Sequence, residues 1–134
     1  MDTMTIEWFN GCIKEIKSFK KLRKRWDSYT AEVPNDLAYT YALAFAGALY
    51  HCKHDLPLPK VNPSVVGGIA FTFMRKNVEC FVEFYNDGEM CTLDTIRGEV
   101  DSDIKVDEYH AHDMDQEQFT TILKKIDEFL KGNK

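Results

Sequence analysis

The four histidines of the chain fall into two pairs, and each pair has a carboxylate beside it. The segments are His51-Cys52-Lys53-His54-Asp55 and Tyr109-His110-Ala111-His112-Asp113. On a helical turn His51 and His54 would point the same way, because side chains three apart share a face. On a strand His110 and His112 would also share a face, because alternate side chains do. Zinc takes three or four ligands of this kind, as neutral imidazoles and ionised carboxylates. Were the two segments to meet, His51, His54, His110 and His112 would hold zinc and support a metal-dependent hydrolase. The plainer reading carries more weight: solvated histidines at the ends of elements, and no cofactor.

Other residue types give weaker chemistry. The run His110-Ala111-His112-Asp113 resembles part of the H-x-H-x-D-H motif of metallo-β-lactamase-like hydrolases. It lacks the spacer before the aspartate, the last histidine and any downstream histidine, so that class is excluded. Cys52, beside His51 and His54, is the one local thiol–base candidate for nucleophilic catalysis. Its place in an Ala-rich apolar run marks it as structural, and Cys80 between Val78 and Val82 reads as core. Asp101, Asp103, Asp107 and Glu108 lie in a charge-rich turn and strand, which solvation explains without acid–base work. Gly67-Gly68 signals a bulge or a close backbone approach and is no phosphate loop. The sequence thus leans away from an enzyme.

The basic run Lys20, Lys21, Arg23, Lys24, Arg25 is the nucleic-acid candidate, read as phosphate contacts from a basic first helix. Against it stand a sequence pI of about 5.3 and the absence of helix-turn-helix spacing. The net charge is −5 but uneven. Residues 1–60 hold nine Lys/Arg and seven Asp/Glu, whereas residues 61–134 hold eight and fifteen. Such polarity can steer a basic protein partner or support a homodimer.

These groups must be carried by one domain, which is what 134 residues with 44% apolar content imply. No apolar stretch reaches the roughly 18 residues of a membrane span. The start, MDTMTIEWFN, lacks a signal-peptide pattern, so a cytoplasmic location is expected. The four cysteines form no CxxC pair and read as reduced, mostly buried thiols.

The elements follow from periodicity. Ile6, Phe9, Ile13, Ile16, Phe19, Leu22, Trp26 and Tyr29 step by three or four, predicting a helix over about 5–31. Pro34 stops it, and Asn35 or Asp36 caps a second, nearly all-apolar helix over about 36–52. Residues 53–65, with three prolines, read as a surface connector. The period then becomes two, giving three or four antiparallel strands joined by tight turns. In one of them Val78, Cys80, Val82 and Phe84 form an apolar face, and Glu79, Phe81, Glu83 and Tyr85 a half-polar one. A last helix opens with an Asp115/Gln118 capping box and carries the stripe Phe119, Ile122, Leu123, Ile126, Phe129, Leu130. The fold class is α+β, in the order α-α-β-β-β-β-α, with the helices on one sheet face.

One ordered set of residues runs through this frame. It is Trp26-Asp27-x-Tyr29-x-Ala31, Pro34, the Ala-rich helix, Leu56-Pro57-Leu58-Pro59, Val61-x-Pro63 and Gly67-Gly68-Ile69. It resembles a loose group of short uncharacterised bacterial proteins with the pattern W-D-G-Y-G-A, P, L-P-x-P-x-V-x-P, G-G-I. The match covers about residues 23–86. Ser28 and Thr30 stand where the group has glycine, and Phe73 stands near its usual tryptophan. The resemblance implies an α+β domain from bacteria or their mobile elements, and no catalytic residue. Trp26, Asp27, Tyr29 and Pro34 read as a structural corner in which Trp26 and Tyr29 continue the core stripe. The functional expectation is a small non-enzymatic protein-binding domain, such as an antitoxin, immunity or accessory protein of a bacterial defence locus.

Overall fold

The computed structural model describes residues 6–23, 26, 32–52, 56–96 and 105–132. In chain order these form α1 (Ile6–Ser18), α2 (Asp36–His51), β1 (Lys60–Ser64), β2 (Gly68–Arg75), β3 (Val78–Tyr85), β4 (Glu89–Ile96), β5 (Lys105–His110) and α3 (Gln116–Gly132). Short 3-10 turns follow α1 at Phe19–Lys21 and β5 at Ala111–Asp113. The strands pair in sequence order as an antiparallel meander. The fold is α+β, with five strands in place of the three or four expected.

Local chemistry accounts for each boundary. Asn35 caps α2, its side chain accepting from the Ala38 amide at 3.0 Å. The capping box of α3 is made in full: Asp115 N donates to Gln118 Oε1 at 2.8 Å, and Gln118 N to Asp115 Oδ1 at 2.9 Å. Gly68 has a φ of +151°, and a Cβ there would collide with the Phe84 carbonyl. The close approach read from the glycine pair is therefore real, and a side chain at Gly68 would push β2 off β3.

The core lies between the sheet and the helices. Ile69, Phe71 and Phe73 of β2 and Val78, Cys80, Val82 and Phe84 of β3 are buried on one face. On them sits α2, whose Phe45 is fully buried. The Phe45 ring lies 5.0 Å from Phe71, 5.4 Å from Phe84, 5.8 Å from Phe119 and 6.5 Å from Phe73, by ring centroids. It thus joins α2 to two strands and to α3. The small residues Ala42 and Ala46 are buried beside it and allow close packing.

Three expectations need correction. The first helix ends at Ser18 and does not run to 31. Continuing it would stack Lys20 on Lys24 and Lys21 on Arg25, like charges four apart, which destabilises a helix. Ser18 Oγ also turns back to the Glu15 carbonyl at 2.5 Å, and Leu22 is already extended. The supposed connector holds an edge strand, β1, with Val61 buried between exposed Lys60 and Asn62. Its Pro63 is tolerated because an edge strand needs only one side of its backbone for pairing. Trp26 is a half-buried turn residue outside the core, and its indole Nε1 donates to the Glu32 carbonyl at 2.9 Å. It still serves a corner, by a hydrogen bond and without burial in the stripe. Pro34 is buried at the same corner, whereas Asp27 and Tyr29 lie outside the described residues.

The two aromatic positions should separate in urea unfolding. Phe45→Ala is expected to cost about 3–5 kcal/mol, the range for a fully buried phenylalanine. Trp26→Ala would have been expected to cost as much as a core residue, but a half-buried ring with one hydrogen bond predicts about 1–2 kcal/mol. Equal midpoint shifts for the two variants would overturn this ordering.

Candidate functional site

All three helices lie on one side of the sheet, and strand alternation sends half of the strand side chains to the other. The pairing registers lay that open face out in rows across the strands. One row reads Lys60, Thr72, Phe81, Leu93, Val106. The next reads Asn62, Ala70, Glu83, Cys91, Glu108. The third, at the end of the sheet, starts at Ser64 and Gly68 and continues through Tyr85 to Glu89 and His110.

Two properties of this face stand out. Of the six large apolar side chains exposed among the described residues, four belong to it or to its rim: Val65, Val66, Met74 and Val106. Its strand positions also carry Glu79, Glu83, Glu89 and Glu108 against one lysine, Lys60. It is an apolar surface with an acidic charge.

Small residues make it concave. Gly68, Ala70 and Cys91 lie inside the second and third rows, next to the larger Glu83 and Tyr85 that rise beside them. Two hollows result. One, of about 620 Å³, lies between the β1–β2 turn and β5, with Val66, Tyr85, Cys91, Val106 and Glu108 in its walls. The other, of about 420 Å³, holds Ser64, Thr72, Phe81 and Glu83 and shares Val66 and Tyr85 with the first. Val66 is 63% exposed and forms the ridge between them.

Polar contacts fix the floor. Ser64 Oγ donates to Glu83 Oε2 at 2.5 Å, although Glu83 is only 9% exposed. The Tyr85 hydroxyl and Cys91 Sγ lie 3.2 Å apart. Burial pushes the Cys91 thiol up, and Glu83 and Glu108 add to this against an opposing bond from Tyr85. The Tyr85 phenol is also raised, first by burial and then by its bond to Cys91 and the nearby glutamates. Burial holds the Cys12 thiol up at about 12 and raises Cys80 as well. Thiols shifted this way stay protonated at neutral pH and make poor nucleophiles. All four cysteines are free.

The residues singled out in the sequence are scattered. His51 ends α2, whose 16 residues span about 24 Å. His110 lies at the other end of that helix, because Ala111 N bonds Gly88 O at 2.8 Å and Asn86 bonds Asn35, the α2 cap. His51 and His110 therefore do not meet. His54 and the His112 side chain lie outside the described residues. Among the described residues no three His, Cys, Asp or Glu side chains gather as a metal set. Cys52 packs against the core at the end of α2. Asp107 and Glu108 point to opposite sheet faces, and Asp101 and Asp103 fall outside the described residues. Lys20, Lys21 and Arg23 are exposed on the helix side, beyond the end of α1, with the Lys20 ammonium 5.1 Å from the Tyr39 ring centroid. The run is thus not a helical stripe, and Lys24 and Arg25 lie outside the described residues.

Sequence reasoning recognised the half-polar side of β3 but missed the hollows beside it. Only the register shows that Ala70 and Cys91 share a row, on either side of Glu83. Comparison with protein-family models, curated proteins and solved structures finds no match. Among the described residues no helix is long and apolar enough to cross a membrane.

At the rim of the face, His110 Nδ1 lies 2.7 and 2.6 Å from the two Glu89 carboxylate oxygens. That hydrogen bond and charge raise the imidazole above its ordinary 6.5, so its stabilising effect holds below pH 6.5 and fades as pH rises through the raised value. An NMR titration of the His110 ring should give a midpoint above 6.5 that falls back in Glu89→Gln. A midpoint that Glu89→Gln leaves unchanged would show that the pair does not form in solution.

Proposed function

We propose that this chain is a small protein-binding domain whose open sheet face receives a basic partner protein. The observation that carries the reading is the pairing of exposed apolar side chains with four glutamates against Lys60 and His110 on the one sheet face that no described helix covers. Apolar patches of this kind, ringed by polar groups, mark protein-contact surfaces. The apolar side chains supply the burial that holds a partner, and the carboxylates select one of opposite charge and speed its approach. An antitoxin, immunity or accessory protein acting on a basic nuclease toxin in a bacterial defence locus has this combination. The raised thiols of Cys12, Cys80 and Cys91 and the separation of His51 from His110 favour binding over catalysis.

Purification of the tagged protein from its native host at low salt tests the reading. A stoichiometric basic partner is expected, released as salt rises because exposed charges are screened within about 10 Å at 0.1 M. Met74→Arg and Leu93→Arg, on the open face, should lose it, whereas Glu117→Arg on α3 should keep it. No basic partner, or one retained by both open-face variants, would overturn the reading.

A further inference from the structure

The sheet has two edges, and they differ. β1 carries an exposed Lys60 and Pro63, which has no amide to give. Both are devices that keep a sheet edge from taking another strand. β5 forms the other edge, and among the described residues it pairs with β4 alone. It contains no proline, and its six residues follow the β4 register without a bulge. One step past the Glu89–His110 pair, the Ala111 amide bonds the Gly88 carbonyl at 2.8 Å. Inward bonds recur at every second residue of an antiparallel pair, so Tyr109 and Asp107 also face β4. Val106 and Glu108 therefore turn their backbone N–H and C=O outward, and both side chains are exposed.

A hollow lies against each face of this strand. On the open side Val106 and Glu108 help to line the one of about 620 Å³. On the helix side Asp107 and Tyr109 line another, of about 390 Å³, with Ile126 and Phe129 of α3 in its wall. A strand laid beside β5 would send alternate side chains to the two faces, each about 5 Å from the β5 residue opposite. Those side chains would stand next to the hollows.

We propose that β5 takes an extended, basic segment of the partner as an added strand of the sheet. The proposal rests on the reading of the open face as the docking surface for a basic protein, and it supplies the anchor of that contact. Backbone bonds to the edge give affinity, and hollows that receive alternate side chains give specificity. The charge of the segment follows from the linings. Asp87, Glu89 and Glu108 line the open-side hollow, and Asp94, Asp107 and Glu128 the helix-side one. Against these six stand Lys125, Lys105 at the start of the strand and the Glu89-bound His110. The same carboxylates oppose a second copy of this chain. When two β5 strands pair antiparallel, outward-facing residues must meet outward-facing ones. Only two such registers overlap by five residues, and they set either Asp107 or Glu108 directly against its own copy. Like charges directly opposite destabilise a strand pair, whereas lysine or arginine in those places removes the conflict.

The test uses the intact protein and a synthetic probe, acetyl-Lys-Val-Arg-Val-Lys-Val-amide. A copy methylated on every backbone nitrogen is the control. Titration into isotope-labelled protein at low salt should show saturable binding, with a dissociation constant on the order of 1 mM. At about four-fifths saturation, amide exchange at Val106 and Glu108 should slow about fivefold, while Asp107 and Tyr109, already bonded to β4, change little. The methylated peptide keeps its charges but has no backbone N–H to donate, so it should bind about tenfold more weakly. Val106→Pro removes an outward N–H and leaves the β4 ladder intact, so the folded spectrum should persist while binding weakens about tenfold. Equal binding of the methylated peptide, or unslowed exchange at Val106 and Glu108, would overturn strand addition even if Val106→Pro fails to fold. A dimer of the free protein that Val106→Pro dissociates would give the edge to a second copy and overturn it too. If Met74→Arg and Leu93→Arg release the native partner while the peptide tests fail, the docking reading stands and strand addition alone falls. If the native partner is also indifferent to the face, both fall together.

Discussion

The ring of Phe45 makes edge-to-face or tilted contacts with Phe71, Phe73, Phe84 and Phe119. Such pairs each add about 0.5–1.5 kcal/mol beyond the area they bury. More important is what they require of the sheet. Phe71 and Phe73 can reach one helix only if β2 keeps a strict period of two, and Phe84 only if β3 is in register beside it. Once that register is set, the composition of the opposite face is set too. A slip of one residue would put Glu83 and Tyr85 under α2 and the phenylalanines in water. The one-sided core and the acidic open face are two consequences of the same packing.

Asn86 ties this arrangement at one end. Its Oδ1 accepts from Asn35 N at 2.8 Å, its Nδ2 donates to the Val33 carbonyl at 2.9 Å, and its own carbonyl accepts from Asn35 Nδ2 at 2.8 Å. Its amide N bonds the Gly67 carbonyl, and Glu32 N bonds the Val65 carbonyl, each at 3.0 Å. The segment before α2, the β1–β2 turn and the β3–β4 turn are therefore held together. Only a side chain with both a donor and an acceptor can do this, so aspartate would leave the Val33 carbonyl without its bond. The clamp also sets the height of the Val65–Val66 ridge over the open face. The helix side and the open face are thus coupled through one amide.

Much of this was legible in the sequence, because local rules and tertiary structure agreed. The α3 capping box, the Asn35 cap and the period-two strands needed only nearest neighbours. Two misreadings came from rules that a wider context overrides. An apolar spacing of three and four continued past Ser18, but the dense cations there oppose a helix, and Phe19 and Leu22 reach the core from a 3-10 turn and an extended residue instead. Prolines at 57, 59 and 63 suggested a connector, yet an edge strand can hold Pro63. The histidine pairs looked like a site because a sequence does not give the distance between them. Conversely, the hollow around Cys91 is built from residues more than 40 positions apart, from Val66 to Glu108. No single strand shows it, since its cause is that small side chains align across strands.

Two local concentrations of charge lie on different sides of the fold. Lys20, Lys21 and Arg23 lie on the helix side, and Glu79, Glu83, Glu89 and Glu108 on the open sheet. Two copies stacked sheet to sheet would bring eight of these carboxylates into one interface, with two copies each of Lys60 and of the Glu89-bound His110 to offset them. Like charges buried together cost several kcal/mol per close pair, so the apolar residues of the face cannot be satisfied by symmetric self-pairing. Strand addition at the β1 edge meets a different obstacle, since Pro63 has no amide to give and Lys60 is exposed. On the reading proposed above, a face that is apolar enough to gain from burial and carries an excess of carboxylates favours a different and basic molecule.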